Sequence, residues 1–370
     1  MERIKVTGYV ISFLILVVVS TLSTLLDAEH IKNPTPTHIE KNFVELKLVK
    51  EIPADFSEEH FFARPAAITL DDEGNMYVFD GIIKKIFKFD GTFKFIKAFG
   101  QTGQGPGEIL GVDMGLQKLY FSKDGNLYVS DYGNRKIIAF NKEGEHLRDI
   151  RIASPRRNGF LSVVDVKGNY YILADEDGAV EMYDRKGVKL HTFLSKRHYD
   201  RFIVYEPKPP EFRFPRLARD FWLLPNEVNT YYDVLPGGRF IIYISHSSTV
   251  YLFKNSVLVR QFDIWPERAM DVYRKLIDRT IEQTNKSKKK NKSFYFSMLE
   301  PFFVDKDNED IFYLNGRLDD AGNSMLYRFD IESSLVNVLT TWKSVRFLAK
   351  RNHLFYGLSD GNVVIFREEK

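Results

Sequence analysis

The sequence predicts an all-β fold, a six-bladed β-propeller behind an N-terminal transmembrane or signal helix, from three observations. One strand–turn–strand pattern recurs six times along 370 residues. Several of its strands are apolar on both faces. The last copy lacks an outer strand, and a strand-like segment ahead of the first copy is free to supply it.

The pattern is an apolar strand, a Gly-Asn or Asp-Gly turn, a Tyr-Val-x-Asp strand, a short turn, and an apolar strand ending in Phe or Tyr before Asp or Asn. It is clearest at Gly74, Asn75, Tyr77, Val78 and Asp80, and again at Gly125, Asn126, Tyr128, Val129 and Asp131. The third copy holds Gly168, Asn169, Ile172 and Asp175. Looser copies follow around Gly237 and Gly238, Asp305 and Asn308, and Asn352, so copies begin about 43 to 70 residues apart. Gly and Asn supply the positive φ that tight hairpins need. Runs such as Phe240 to Ile244 and Ile311 to Leu314 have no polar face, as expected of sheets covered on both sides by neighbouring sheets. Burying each such Phe or Ile stabilises by roughly 1.5–3 kcal/mol before entropy is subtracted. Phe43 to Ile52 alternates like a strand and is expected to pair near residue 365, completing the last copy and removing an open edge.

The first 28 residues are read as a signal anchor or signal peptide. Arg3 and Lys5 precede Val6 to Leu26, a stretch without charge, and 21 residues at 1.5 Å rise cover about 30 Å of hydrocarbon. The basic lead orients the remainder outward. Thr21-Leu22-Ser23 and Leu26-Asp27-Ala28 are only fair cleavage sites, so cleaved and uncleaved forms both stand. The chain is therefore expected at the cell envelope, single-pass anchored through residues 6–26 or secreted into the periplasm. Residues 29–42, with Pro34 and Pro36, read as a linker, and residues 43–370 as the propeller.

Composition excludes several classes. The net charge of +3 carries no field suited to nucleic acid. The absence of cysteine excludes disulfides, thiol nucleophiles and thiolate metal sites. The 31 Phe and 19 Tyr favour pleated surfaces.

Residues 125–137, Gly-Asn-Leu-Tyr-Val-Ser-Asp-Tyr-Gly-Asn-Arg-Lys-Ile, resemble the NHL repeat. The Gly103-Gln-Gly-Pro-Gly-Glu108 stretch before them resembles a linker of bacterial, envelope-associated six-bladed propellers of that kind. The resemblance covers residues 65–190 and implies interaction scaffolds mainly, with a minority of lactonases and lyases.

Candidate sites are few. Asp80, Asp131 and Asp175 end the Tyr-Val-x-Asp strands, where an Asp either accepts hydrogen bonds from the next turn or joins a ring that collects a cation. None of the eight His residues has metal-ligand spacing, although His246 or His353 can still reach an axial site in a ring. Gly100 to Gly111 lacks the Lys-Ser/Thr of a phosphate loop and reads as a close-packed crossover. Two insertions, 196–228 and 265–297, interrupt the pattern. The first offers Arg197, His198, Tyr199, Arg213, Arg216, Arg219 and Trp222 as ligand- or partner-binding residues on a proline-stiffened loop, or else as a loop packed over one face. The second begins with a helical stripe over 266–284 and continues into the lysine run 286–292, either a solvated loop or a contact for anionic lipid or an acidic partner. Asn285 and Asn291 stand in glycosylation sequons. The expected function is a binding scaffold for a protein, peptide or glycan, without a cofactor and more a non-enzyme than an enzyme. The alternative is a lactonase-like hydrolase or lyase with a divalent cation at the central channel.

Overall fold

A computed structural model describes residues 29–31, 43–111, 119–131, 133–152, 163–165, 167–173, 180–194, 230–244, 249–264, 299–316, 324–332, 336–341 and 344–368. All the regular structure among them is β. Three four-stranded antiparallel sheets come first in the chain. The first sheet holds Pro65–Leu70, Met76–Asp80, Ile86–Phe89 and Phe95–Phe99, and the second Leu119–Phe121, Asn126–Asp131, Lys136–Asn141 and His146–Arg151. The third holds Val163–Val164, Tyr170–Leu173, Val180–Tyr183 and Lys189–Phe193. The fourth sheet, Thr230–Val234, Phe240–Ile244, Thr249–Lys254 and Val257–Asp263, gains a fifth strand because Glu29–Ile31 runs parallel to its outer edge.

The remaining strands form one eight-stranded sheet. Leu299–Val304, Ile311–Gly316, Ser324–Asp330 and Val336–Thr341 make one half. Arg346–Arg351, Leu354–Ser359, Asn362–Glu368 and Phe43–Ile52 make the other. The ten-residue strand Phe43–Ile52 joins the halves: its first three residues pair parallel with Val338 to Thr340, and Leu46 to Ile52 pair antiparallel with Glu368 to Val363. The expected pairing near residue 365 is thus present, but the strand is long enough to hydrogen-bond on both sides.

This corrects the six-bladed expectation. Four blade-sized sheets stand separately, and the last two copies are fused through Phe43–Ile52 into a single sheet. The expected transmembrane or signal helix over residues 1–28 is not seen: no helix among the described residues is long and apolar enough to cross a membrane. Residues 1–28 and the expected helix over 266–284 lie outside the described residues. Part of the expected linker, Glu29–Ile31, is a strand.

Packing follows the two-faced apolar strands. Tyr77, Phe79 and Ile86 of the first sheet pack with Leu127, Val129 and Ile138 of the second. Tyr128, Tyr171, Ile172, Tyr232 and Phe240 fill the space among the second, third and fourth sheets. Ile241, Tyr243 and Leu252 meet Phe312, Leu314 and Tyr327 of the eight-stranded sheet, and its other half returns Tyr356, Val363 and Ile365 onto Ile68, Val78 and Phe87 of the first sheet. The sheets therefore close a ring. The first strand of each copy lies innermost, and Arg346–Arg351 packs back against Pro65–Leu70. Turns between first and second strands gather at one end of the channel, here the turn end. The first strands begin at the other, the crossover end.

The turns obey one rule. Gly74 and Gly125 stand at φ of +86° and +81° with open space around them, so backbone conformation rather than crowding requires glycine. Gly133 is the opposite case. A Cβ there would lie 2.5 Å from the Gly111 carbonyl oxygen, so close approach of the crossover excludes a side chain.

Candidate functional site

The repeated aspartates are built into the backbone. Asp80 accepts hydrogen bonds from the N–H groups of Arg64 (2.7 Å), Ile82 (2.8 Å) and Ile83 (3.0 Å). Asp131 accepts from Gly111 N (2.8 Å), Leu110 N (3.1 Å) and Asn134 Nδ2 (2.7 Å). Each carboxylate ties the segment entering its own sheet, which is the turn-accepting role rather than a cation ring. Asp175 lies outside the described residues, as do Arg197, His198, Tyr199, Arg213, Arg216, Arg219, Trp222, His246, the lysine run and both sequons. His353 is exposed on the turn after Arg346–Arg351.

The glycine-rich segment is clamped onto the second sheet. Gln101–Thr102 pairs with Glu108–Ile109, and Asn134 Nδ2 donates to the Gly103 carbonyl at 2.8 Å. Lys136, buried, donates to the Gly105 carbonyl (2.7 Å) and to Asp149 Oδ2 (2.8 Å). Asp149 Oδ1 meets His146 Nε2 at 2.9 Å and accepts from Gly107 N at 3.3 Å. Burial alone would raise the Asp149 pKa, but the hydrogen bonds from Lys136, His146 and Gly107 outweigh it and hold the carboxyl below its usual range. A folded-state value below that of the unfolded chain, near ~3.9, contributes stability that is present above the unfolded value. That stability is lost as pH falls through the folded one. Urea unfolding of wild type and Lys136→Met is therefore expected to differ at neutral pH and to converge in acid. A difference that stays constant into acid would contradict this coupling.

The turn end of the channel is where side chains from different sheets converge. Lys306 follows the innermost strand Leu299–Val304, and its Nζ sits 4.6 Å from the ring centroid of Tyr120 in the second sheet. The same ammonium lies 3.7 Å from Asp233 Oδ1 of the fourth sheet. Tyr120 and Asp233 are buried, whereas a third of the Lys306 side chain is exposed. Burial, reinforced by the charges of Asp233, Asp165 and Asp124, pushes the Tyr120 hydroxyl well above its ordinary pKa, so it stays protonated. Lys123 adds a hydrogen bond across to the Pro236 carbonyl at 3.0 Å. Three sheets thus bring a carboxylate, an ammonium and a phenol ring together at a partly open point. That arrangement can take up a proton and stabilise developing negative charge.

Asp233 Oδ1 also accepts from Val234 N at 2.8 Å, and the nearby carboxylates have partners of their own. Asp305 accepts from Tyr313 and Lys350, Asp165 from Asn169 and Tyr171, and Asp71 from Asn75 and Tyr77. Among the described residues no group of three or more His, Asp or Glu is placed to hold a metal ion. The donor set at this end does not fit the divalent cation of the sequence-based alternative.

Lys306, Asp233, Tyr120 and Lys350 carry no motif spacing, so sequence reading missed them. The one available signal was the polar residue closing the first strand in four of the six copies (Asp71, Ser122, Asp165, Asp305), which marks where the copies face each other across the channel.

Residues 40–195 match the pattern of a family, DUF5128, described as a 6-bladed beta-propeller. This match takes the place of the suspected NHL-type relationship and covers the first three copies. No curated protein matches the sequence. Among solved structures, a member of the duf4221 family from Bacteroides vulgatus superimposes with a TM-score of 0.55 at 11% identity, covering 89% of this chain and 99% of that one. A putative exported protein from Bacteroides fragilis gives 0.52 at 12% identity, covering 92% and 99%. A streptogramin B lyase gives 0.50 at 9% identity, covering 88% and 98%. At these identities the likeness is one of fold. It is enough to correct the expectation of a non-enzymatic scaffold, because that expectation rested on the architecture, and the same architecture carries a lyase.

Proposed function

We propose that the chain is an exported protein of the cell envelope and that the turn end of its channel is the reactive centre of a lyase. The observation that carries this reading is the meeting of Lys306, Asp233 and Tyr120 from three sheets at one partly exposed point. In an elimination, the Asp233 carboxylate takes the proton from a carbon beside a carbonyl. The electron pair forms the carbon–carbon double bond as the bond to the leaving oxygen breaks. The Lys306 ammonium, held over the Tyr120 ring, steadies the charge that collects on the carbonyl oxygen. No metal is required in this scheme. The named lyase with the same fold supports the reaction class, and the named exported protein supports the location.

The test follows the absorbance of the new double bond when purified protein meets cyclic depsipeptides of the streptogramin B type and uronic acid polymers. Mass spectrometry separates elimination, which opens a ring without changing mass, from hydrolysis, which adds water. Asp233→Asn is expected to lose about 10²–10⁴-fold in rate, the usual worth of a general base. A wild type inert on the whole panel, or an Asp233→Asn variant with full rate, overturns the proposal.

A further inference from the structure

The crossover end of the same channel carries a second group of charges that the reactive centre does not use. Arg346 opens the innermost strand Arg346–Arg351, and its Nη2 donates to the Ala66 carbonyl at 3.2 Å. Ala66 lies at the start of the innermost strand of the first sheet, so the guanidinium reaches across from one sheet to the next. The residue is exposed, although its surroundings desolvate the guanidinium enough to lower its pKa from the ordinary arginine value. Among the described residues no carboxylate pairs with it. Its hydrogen-bond partner is a backbone carbonyl, and the neutral Tyr231 hydroxyl, from the innermost strand of the fourth sheet, lies nearby. Tyr231 is half-buried and stacks on Tyr243 with ring centroids 6.2 Å apart.

An arginine at the inner rim of a ring, with one edge of its fork on a carbonyl, keeps further N–H donors for a planar anion. Tyr231 adds an aromatic surface at the same mouth. We infer that the crossover end of the channel is an anion port in which Arg346 anchors a carboxylate-bearing ligand, with Tyr231 an aromatic wall. The inference deepens the proposed lyase by assigning its substrate a carboxylate that docks at the end opposite Lys306 and Asp233. It stands on different residues from those of the reaction.

The experiment titrates benzoate, and separately its neutral isostere benzamide, into the full chain by ligand-observed NMR. The proteins compared are wild type, Arg346→Lys, Arg346→Met and Asp233→Asn. Benzoate is expected to bind wild type and benzamide not. Arg346→Met should weaken benzoate about tenfold or more, and Arg346→Lys less, because it keeps the charge and loses the fork. Asp233→Asn should bind benzoate as wild type does. Thermal melts of the Arg346 variants, expected to match wild type at an exposed position, separate lost binding from lost folding. If benzoate fails to bind, or binds no better than benzamide, or binds Arg346→Met unchanged, the port is refuted. Absence of turnover with benzoate binding intact would instead refute the lyase and leave the port standing.

Discussion

Leu46→Asp is expected to unfold the chain under conditions where Val49→Asp, three residues along the same strand, is nearly silent. Leu46 is fully buried among Phe347, Phe355, Val364 and Phe366, while Val49 is 44% exposed. Truncation to Ala alone costs about 2–5 kcal/mol at such a site. An Asp adds the desolvation of an unpaired carboxylate. The expected loss is therefore a large part of the roughly 5–15 kcal/mol that holds a typical domain folded. A surface change such as Val49→Asp stays within about 0.5 kcal/mol. Location raises the effect further, because Phe43–Ile52 alone joins Val336–Thr341 to Asn362–Glu368. Its release exposes two sheet edges at once and opens the ring where this strand meets Asn362–Glu368. Urea unfolding followed by tyrosine fluorescence checks the pair. Similar midpoints for the two variants would mean that the strand does not hold the ring shut.

That strand was legible in the sequence because Phe43 to Ile52 alternates and the sixth copy visibly lacks a partner. The sheets themselves were legible for a similar reason. A strand buried on both faces, such as Met76–Asp80, cannot hide its lack of a polar side. What could not be read was how many sheets result, since nothing in the residues 43–45 announces that they also bond Val338 to Thr340. The turn-accepting role of Asp80 and Asp131 was legible, since a short acceptor before a turn acts locally. The channel groups were not. Lys306 and Tyr120 are 186 positions apart (306 − 120) and meet only because the ring brings the inner strands of different copies together. Arg346 likewise gains its meaning from Ala66 and Tyr231, both remote in the chain.

The turn end also contains a stabilising ion pair whose removal should be costly. Asp305, nearly fully buried, accepts hydrogen bonds from Asp307 N (2.9 Å) and the Tyr313 hydroxyl (3.0 Å), and its Oδ2 lies 2.9 Å from Lys350 Nζ. Lys350 comes from the other half of the eight-stranded sheet, so the pair fastens the two halves across their innermost strands. Asp305→Ala deletes the acceptor for a partly buried ammonium and for a tyrosine whose pKa burial has already raised. Breaking one side of such a pair costs about 3–5 kcal/mol. Lys350 also lies 3.2 Å from Asp307 Oδ2, which offers the ammonium a second carboxylate and places the expected loss toward the lower end. Asp305→Asn with Lys350→Met keeps an acceptor for Tyr313 and removes the stranded charge, so the double variant should be more stable than Asp305→Ala alone. A double-mutant cycle in urea is expected to return a coupling of roughly 0.5–3 kcal/mol. Strict additivity would show that the halves are fastened by Phe43–Ile52, apolar packing and other polar links such as Asn315 to Phe347, with the Asp305–Lys350 pair a passenger at the channel mouth.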